Sequence, residues 1–150
     1  MTMGMSSCDI SGITVRWIHR DIRGEIFCFY KDGREYTLLT TRKGFARGGC
    51  VHPRSTEHAV ILKGCVEYYV SYGKGNTAID LTYKEGDSIL PIPPNAPHYL
   101  LALEDSMTLE WGAEPEEKAM KHPVWRDVVE EINRRRVKEL EDYSSIRNSR

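Results

Sequence analysis

From Val15 to Trp111 the chain reads as short β-prone stretches separated by turn residues, and no segment of that span carries a helical period. Val15–His19 and Glu25–Tyr30 flank a turn at Asp21–Gly24. Asp32-Gly33 then joins Tyr30 to Glu35–Thr41, a dipeptide suited to a tight hairpin because glycine takes positive φ without a steric cost. Phe45–His52, His58–Lys63, Val66–Tyr72, Thr77–Thr82, Ser88–Ile92, His98–Leu103 and Met107–Trp111 continue the series, with turns at Lys63-Gly64 and Tyr72–Asn76. Strands recurring at roughly 8–12-residue spacing predict an all-β sandwich or barrel. Pro91, Pro93, Pro94 and Pro97 crowd one segment, which must be a loop or a sheet edge because proline cannot donate to a ladder.

After Gly112 the period changes. Val124, Trp125, Val128, Val129, Ile132, Val137 and Leu140 keep to helical spacing, and Pro123 suits a first turn. The expectation is an amphipathic α-helix from Pro123 to about Asp142, with Ser144–Arg150 frayed. The chain is thus expected to be one domain, a barrel over about residues 13–112 followed by a C-terminal helix over about 123–142. Charge follows the same division: residues 114–150 carry 18 of the 43 Asp, Glu, Lys and Arg, and the first 113 residues carry the other 25.

A formal net charge of −1 argues against a polyanionic partner, so neither nucleic acid nor an anionic membrane is expected. No stretch approaches the ~20 apolar residues of a membrane span. Met1–Ile10 has no basic region and no apolar run, so no secretory signal is expected. Cys8, Cys28, Cys50 and Cys65 form no CxxC pair or dense framework, which points to free thiols in a reducing cytoplasm.

Two segments carry chemistry. Gly44–Gly64 contains Cys50, His52 and Glu57, and Gly86–His98 ends in a histidine. Two imidazoles and one carboxylate form the facial set that suits iron, zinc, manganese or nickel, with positions left open for water or substrate. Strand alternation is consistent with a shared interior. If Glu57 points inward, so do Ala59 and Ile61; His52 goes with Cys50, and His98 with Leu100 and Ala102. The outward sets, His58, Val60, Leu62 and Tyr99, Leu101, Leu103, are apolar enough to need covers. The helix is expected to supply one cover and a second copy of the chain the other, in a homodimer.

The spacing resembles the cupin superfamily. Its first motif, G-x5-H-x-H-x4-E-x6-G, is met by Gly44, Cys50, His52, Glu57 and Gly64, with Cys50 in place of the first histidine. Its second, G-x5-P-x-G-x2-H-x3-N, is met by Gly86, Pro93, Asn95, His98 and Ala102, with one extra residue before Pro93 and Asn and Ala as substitutes. Asn95 can supply the positive φ that the motif glycine would. The resemblance covers about residues 40–110. It implies a double-stranded β-helix, the cupin or jelly-roll barrel, with a divalent transition metal held by His52, Glu57 and His98, and by Cys50 if its thiol ligates.

A narrower resemblance, carried by Asp21-Ile22-Arg23-Gly24 and Phe45-Ala46-Arg47-Gly48, is to the nucleotide-sugar epimerases and ketoisomerases. It implies a small-molecule ligand, possibly a sugar, and proton abstraction next to a carbonyl. His52, Arg47 and Cys50 are then the candidate catalytic residues. In that group an Arg-Gly-x-His segment presents the base, and here Cys50 stands where that histidine would be. His52 can substitute for it, but a metal-bound His52 cannot also be a free base. An iron-dependent dioxygenase and a non-catalytic small-molecule binder are the competing readings.

Overall fold

The computed structural model describes residues 2–3, 9–10, 12–72, 79–113 and 119–148. Cys8, the turn from Gly73 to Asn76 and residues 77–78 of the expected Thr77–Thr82 strand lie outside these. The strands are β1 (Thr2–Met3), β2 (Asp9–Ile10), β3 (Ile13–Asp21), β4 (Gly24–Lys31), β5 (Arg34–Thr41), β6 (Ala46–Val51), β7 (Glu57–Lys63), β8 (Cys65–Val70), β9 (Ile79–Lys84), β10 (Leu90–Ile92), β11 (His98–Ala102), β12 (Ser106–Trp111) and β13 (Met120–Lys121). A single helix, α1 (Pro123–Asn148), follows. The larger sheet runs β1-β3-β4-β5-β12-β7-β10 with β2 beside β3, and the smaller runs β13-β6-β11-β8-β9. Every pairing is antiparallel.

Local chemistry accounts for the turns. Asp32 and Gly33 have φ of 51° and 76°, the two positive values of the tight hairpin that their sequence predicts. Asn95 has φ of 60°, so it does adopt the turn that a glycine would have supplied. Pro91 sits on β10, which ends the larger sheet, where its missing N–H costs no ladder bond.

Alternation places the core. Glu57, Ala59 and Ile61 of β7 are buried, while His58 and Val60 are half-buried and Leu62 is exposed. Val66, Tyr68 and Val70 of β8 are buried in the same way. With Leu90, Ile92, Ala96 and Leu100 they fill the space between the sheets. On β11 the alternation lapses because both faces are covered: Tyr99 packs outward against Trp125 of α1 at 5.6 Å between ring centroids.

The helix begins where expected. His122 Nδ1 accepts from the Trp125 N–H at 3.3 Å, a side-chain cap for a first turn that opens on Pro123. Trp125 and Val129 pack with Ala46 and Tyr99 to make a second, smaller core between helix and sheet.

Three expectations need correction. The helix continues to Asn148, and Ser144–Asn148 are helical rather than frayed. Arg147 in the last turn complements the helix dipole there. The β8 strand stops at Val70, and Tyr72 is 48% exposed rather than packed in the strand. The barrel also carries pairings beyond residues 13–112: β1 and β2 on β3, and β13 on β6.

Candidate metal and catalytic site in the barrel lumen

His52 follows the end of β6, Glu57 opens β7 and His98 opens β11, so three strand ends converge at one mouth of the barrel. Glu57 lies between the two imidazoles. Its Oε2 is 2.6 Å from His52 Nε2 and its Oε1 is 3.7 Å from His98 Nε2. The two histidine rings are 6.3 Å apart at an interplanar angle of 24°. His98 Nδ1 lies 2.9 Å from the Ala96 carbonyl, which can only accept, so that nitrogen carries a proton and Nε2 is the ring atom turned toward Glu57.

Burial alone would push the Glu57 carboxyl up, but hydrogen bonds from His52 and His98 outweigh it and hold the carboxyl well below the usual range. Behind Glu57 stands a second carboxyl, the half-buried Glu110 of β12, close enough for the Glu57 charge to act on it. Burial and the Glu57 charge push the Glu110 carboxyl well above the usual carboxylate range. Tyr68 Oη donates to Glu110 Oε1 at 3.4 Å. Glu57, Glu110 and Tyr68 therefore sit as a connected group beside the histidines.

Cys50 pairs with His98 in register across β6 and β11. Burial pushes its thiol up, opposed by the charge of Arg126. A bulge between His98 and Tyr99 sets this register, with Gly48 and Gly49 opposite at φ of 111° and 81°. A Cβ on Gly48 would lie 2.9 Å from the His98 carbonyl oxygen, and one on Gly49 would lie 2.8 Å from Arg126 Cα. Only glycine lets this strand fit between β11 and the helix.

The structure thus brings His52, Glu57 and His98 together and places Cys50 beside His98. It does not bring Arg47 into contact with them. Arg47 is 3% exposed, and its guanidinium donates to Thr41 Oγ1 at 3.1 Å and to the Thr40 carbonyl at 2.9 Å. Glu110 was not foreseen from the sequence. The available signal was alternation, because Thr108 and Glu110 share a face opposite to Met107, Leu109 and Trp111. A cavity of about 480 Å³ lies near this end of the barrel, lined by Trp111, His58, Arg34 and Arg54 and not by the histidine pair.

The donors fit a metal by chemical type and by the orientation of His98. Among the described residues, no group of three or more His, Cys, Asp and Glu is already spread at coordinating positions, because Glu57 closes onto His52 instead.

Two antiparallel sheets enclosing a lumen whose strand ends present His52, Glu57 and His98 define a double-stranded β-helix of the cupin type. Solved structures bear out that fold. The capsular polysaccharide assembling protein CapF from Staphylococcus aureus superposes with a TM-score of 0.61 at 18% identity, over 69% of this chain and 31% of that one. Lactobacillus farciminis oxalate decarboxylase, solved as a formate complex, gives a TM-score of 0.61 at 20% identity, over 72% and 34% of the two chains. Pumpkin seed globulin gives 0.59 at 11% identity, over 68% and 34%. The matched part is about a third of each of those longer chains. No protein-family profile and no curated protein sequence matches the chain. Among the described residues, no helix is long and apolar enough to cross a membrane.

Proposed function

We propose that the lumen is the active site of a metal-supported isomerase or epimerase acting on a small hydroxy-carbonyl compound, a sugar or nucleotide sugar. The observation that carries this is Glu57 lying between His52 and His98 with Glu110 behind it, its carboxyl held well above the usual range. His52, Glu57 and His98 would hold a divalent transition metal, which would supply Lewis acidity to a substrate carbonyl oxygen. Glu110 is the nearest proton carrier, and Tyr68 fixes its orientation through the hydroxyl bond. The apolar lining from Ala59, Ile92 and Leu100 excludes water from below. The CapF likeness supports a carbohydrate-related ligand through that protein's role in capsular polysaccharide assembly.

The 2.6 Å contact between His52 and Glu57 favours a second, metal-free reading, in which Glu57 orients His52 as the base. Elemental analysis of protein from metal-replete growth, paired with solvent deuterium exchange into ketosugars, separates the two. The first reading expects bound metal, lost in His98→Ala together with exchange. Absent metal, with exchange that survives His98→Ala and fails in His52→Asn, selects the second. Absent metal and absent exchange refute both.

We further infer a homodimer. Phe29, Tyr36, Trp111 and His58 form a row of rings across β4, β5, β12 and β7 on the outer face of the larger sheet. All four are half-buried, as expected of a face awaiting a cover. Light scattering that reports a monomer of 17.2 kDa at micromolar concentration would refute this.

A further inference from the structure

The barrel end away from His52 contains buried polar groups that the proposed reaction does not use. Glu57 and Lys63 are the two ends of β7, roughly 20 Å apart for a strand of this length. At the Lys63 end, Arg47 Nη1 is buried and has no hydrogen-bond partner among the described residues, although the other two guanidinium nitrogens are satisfied by Thr41 and Thr40. Thr108 is 1% exposed, and its Oγ1 is likewise buried without a partner.

The register relates them through Thr41. Thr41 pairs with Ser106 and Leu39 with Thr108, so Thr41 and Thr108 are diagonal neighbours on the inner face of adjacent strands. Arg47 reaches that face by its bond to Thr41. Among the described residues no carboxylate forms an ion pair with the guanidinium. Asp21 and Glu110 act on it only through space, and Arg23 opposes it. Burial and the Arg23 charge pull its pKa down to about 10, as expected of a cation without a close counter-ion.

A cavity of about 230 Å³ opens from this end and is lined by Thr41, Ser106, Arg42 and Lys63. Asp105 also lines it, but its carboxylate accepts from the Lys43 N–H at 2.8 Å. Two surface cations thus flank an opening that leads to Thr41, behind which lie a buried cation and a hydroxyl, each with unused capacity. Buried donors left unmade are costly, and native proteins fill such places with water or an ion. A guanidinium with no carboxylate selects the ion.

We propose that this end of the barrel is a binding site for a small monoanion, a halide or a short carboxylate, held by Arg47 and Thr108. It is independent of the chemistry proposed for His52, Glu57 and His98.

The test uses the full chain and three salts at matched ionic strength: sodium bromide, sodium formate and sodium gluconate, the last too large to enter. Bromide or formate should raise the melting temperature by several degrees, saturably and in the millimolar range, relative to gluconate. Response to formate alone narrows the class to carboxylates. Crystals soaked in bromide should show an anomalous peak beside Arg47 Nη1. Arg47→Met should abolish the response. Thr108→Val, which keeps the volume and removes the hydroxyl, should weaken it at least threefold and serves if Arg47→Met does not fold. His98→Ala should leave it unchanged. Identical melting in all three salts with no bromide peak overturns the proposal, as does an undiminished response in both Arg47→Met and Thr108→Val.

Discussion

Asn133 holds Ala46 by both of its backbone groups. Asn133 Oδ1 accepts from the Ala46 N–H at 2.7 Å, and Nδ2 donates to the Ala46 carbonyl at 3.0 Å. Ala46 is fully buried at the start of β6, so no water can replace the amide. Arg126 and Arg136 add bonds to the Gly48 and Lys43 carbonyls, which fastens one helix face along a single strand. Asn133→Leu would leave both Ala46 groups unmade and should destabilise the protein by about 2–4 kcal/mol. Urea unfolding should show a lower midpoint with an unchanged slope.

Gly49→Ala should be at least as damaging. Its φ of 81° disfavours any side chain, and the new Cβ would meet Arg126 N at 2.9 Å. Strain of this kind costs on the order of 1–3 kcal/mol from the backbone alone. Gly33→Ala is the control, since its φ of 76° is similar but nothing lies within 4 Å of the added carbon. The gap between the two midpoints measures the helix–strand contact, and loss of near-ultraviolet dichroism from Trp125 should accompany only the first.

The β3–β4 turn should be sensitive to acid. Burial tends to raise the Asp21 carboxyl, but hydrogen bonds from the Arg23 side chain and backbone and from His19 outweigh it and hold its pKa well below the usual value. A depressed folded pKa contributes stability that is complete above the unfolded value, near ~4, and is lost as pH falls below it. The melting temperature of Asp21→Asn should therefore be lower than that of wild type at pH 7, and the two should converge toward pH 2.

Cys28 should be inert in the native protein and should titrate only in alkali. It is 1% exposed, and burial and the neighbouring Glu35 carboxylate push its thiol up to about 12. The unfolded thiol loses its proton near ~8.5, so stability should fall with rising pH between these values. Cys28→Ala should flatten that decline. Iodoacetamide at pH 8 should label Cys28 only after unfolding, as peptide mapping would show.

Glu110→Gln tests the proton carrier in the lumen. The amide keeps the side chain's size and can still accept from Tyr68 Oη, so bound metal and fold should be retained. Solvent deuterium exchange into the substrate should drop by roughly a hundredfold or more, the usual worth of a positioned acid or base. Retained exchange would remove Glu110 from the reaction.

Much of this architecture was readable from the chain. The Asp32-Gly33 hairpin, the proline-marked edge strand and the start of the helix at Pro123 all follow from local backbone chemistry, which sequence reports directly. The convergence of His52, Glu57 and His98 was readable because motif spacing encodes it. Glu110 was less visible, since a single glutamate in a strand looks solvated until its partner strands are known. The bonds of Arg47 to Thr41 and the Thr40 carbonyl were equally invisible, since they join strands whose pairing the sequence does not state. The end of the helix was missed because its last turns touch no core, so no apolar signal marks them.

The Gly48-Gly49 pair makes β6 a party wall. His98 and Tyr99 press on one side of it and the first turn of the helix on the other, with backbone alone between them. A displacement of His98 would therefore reach the base of α1. The helix, about 39 Å long for its 26 residues, would magnify a small tilt there into a larger sweep at its exposed Tyr143 end. In mechanical terms it is a lever whose fulcrum is set against the wall of the barrel.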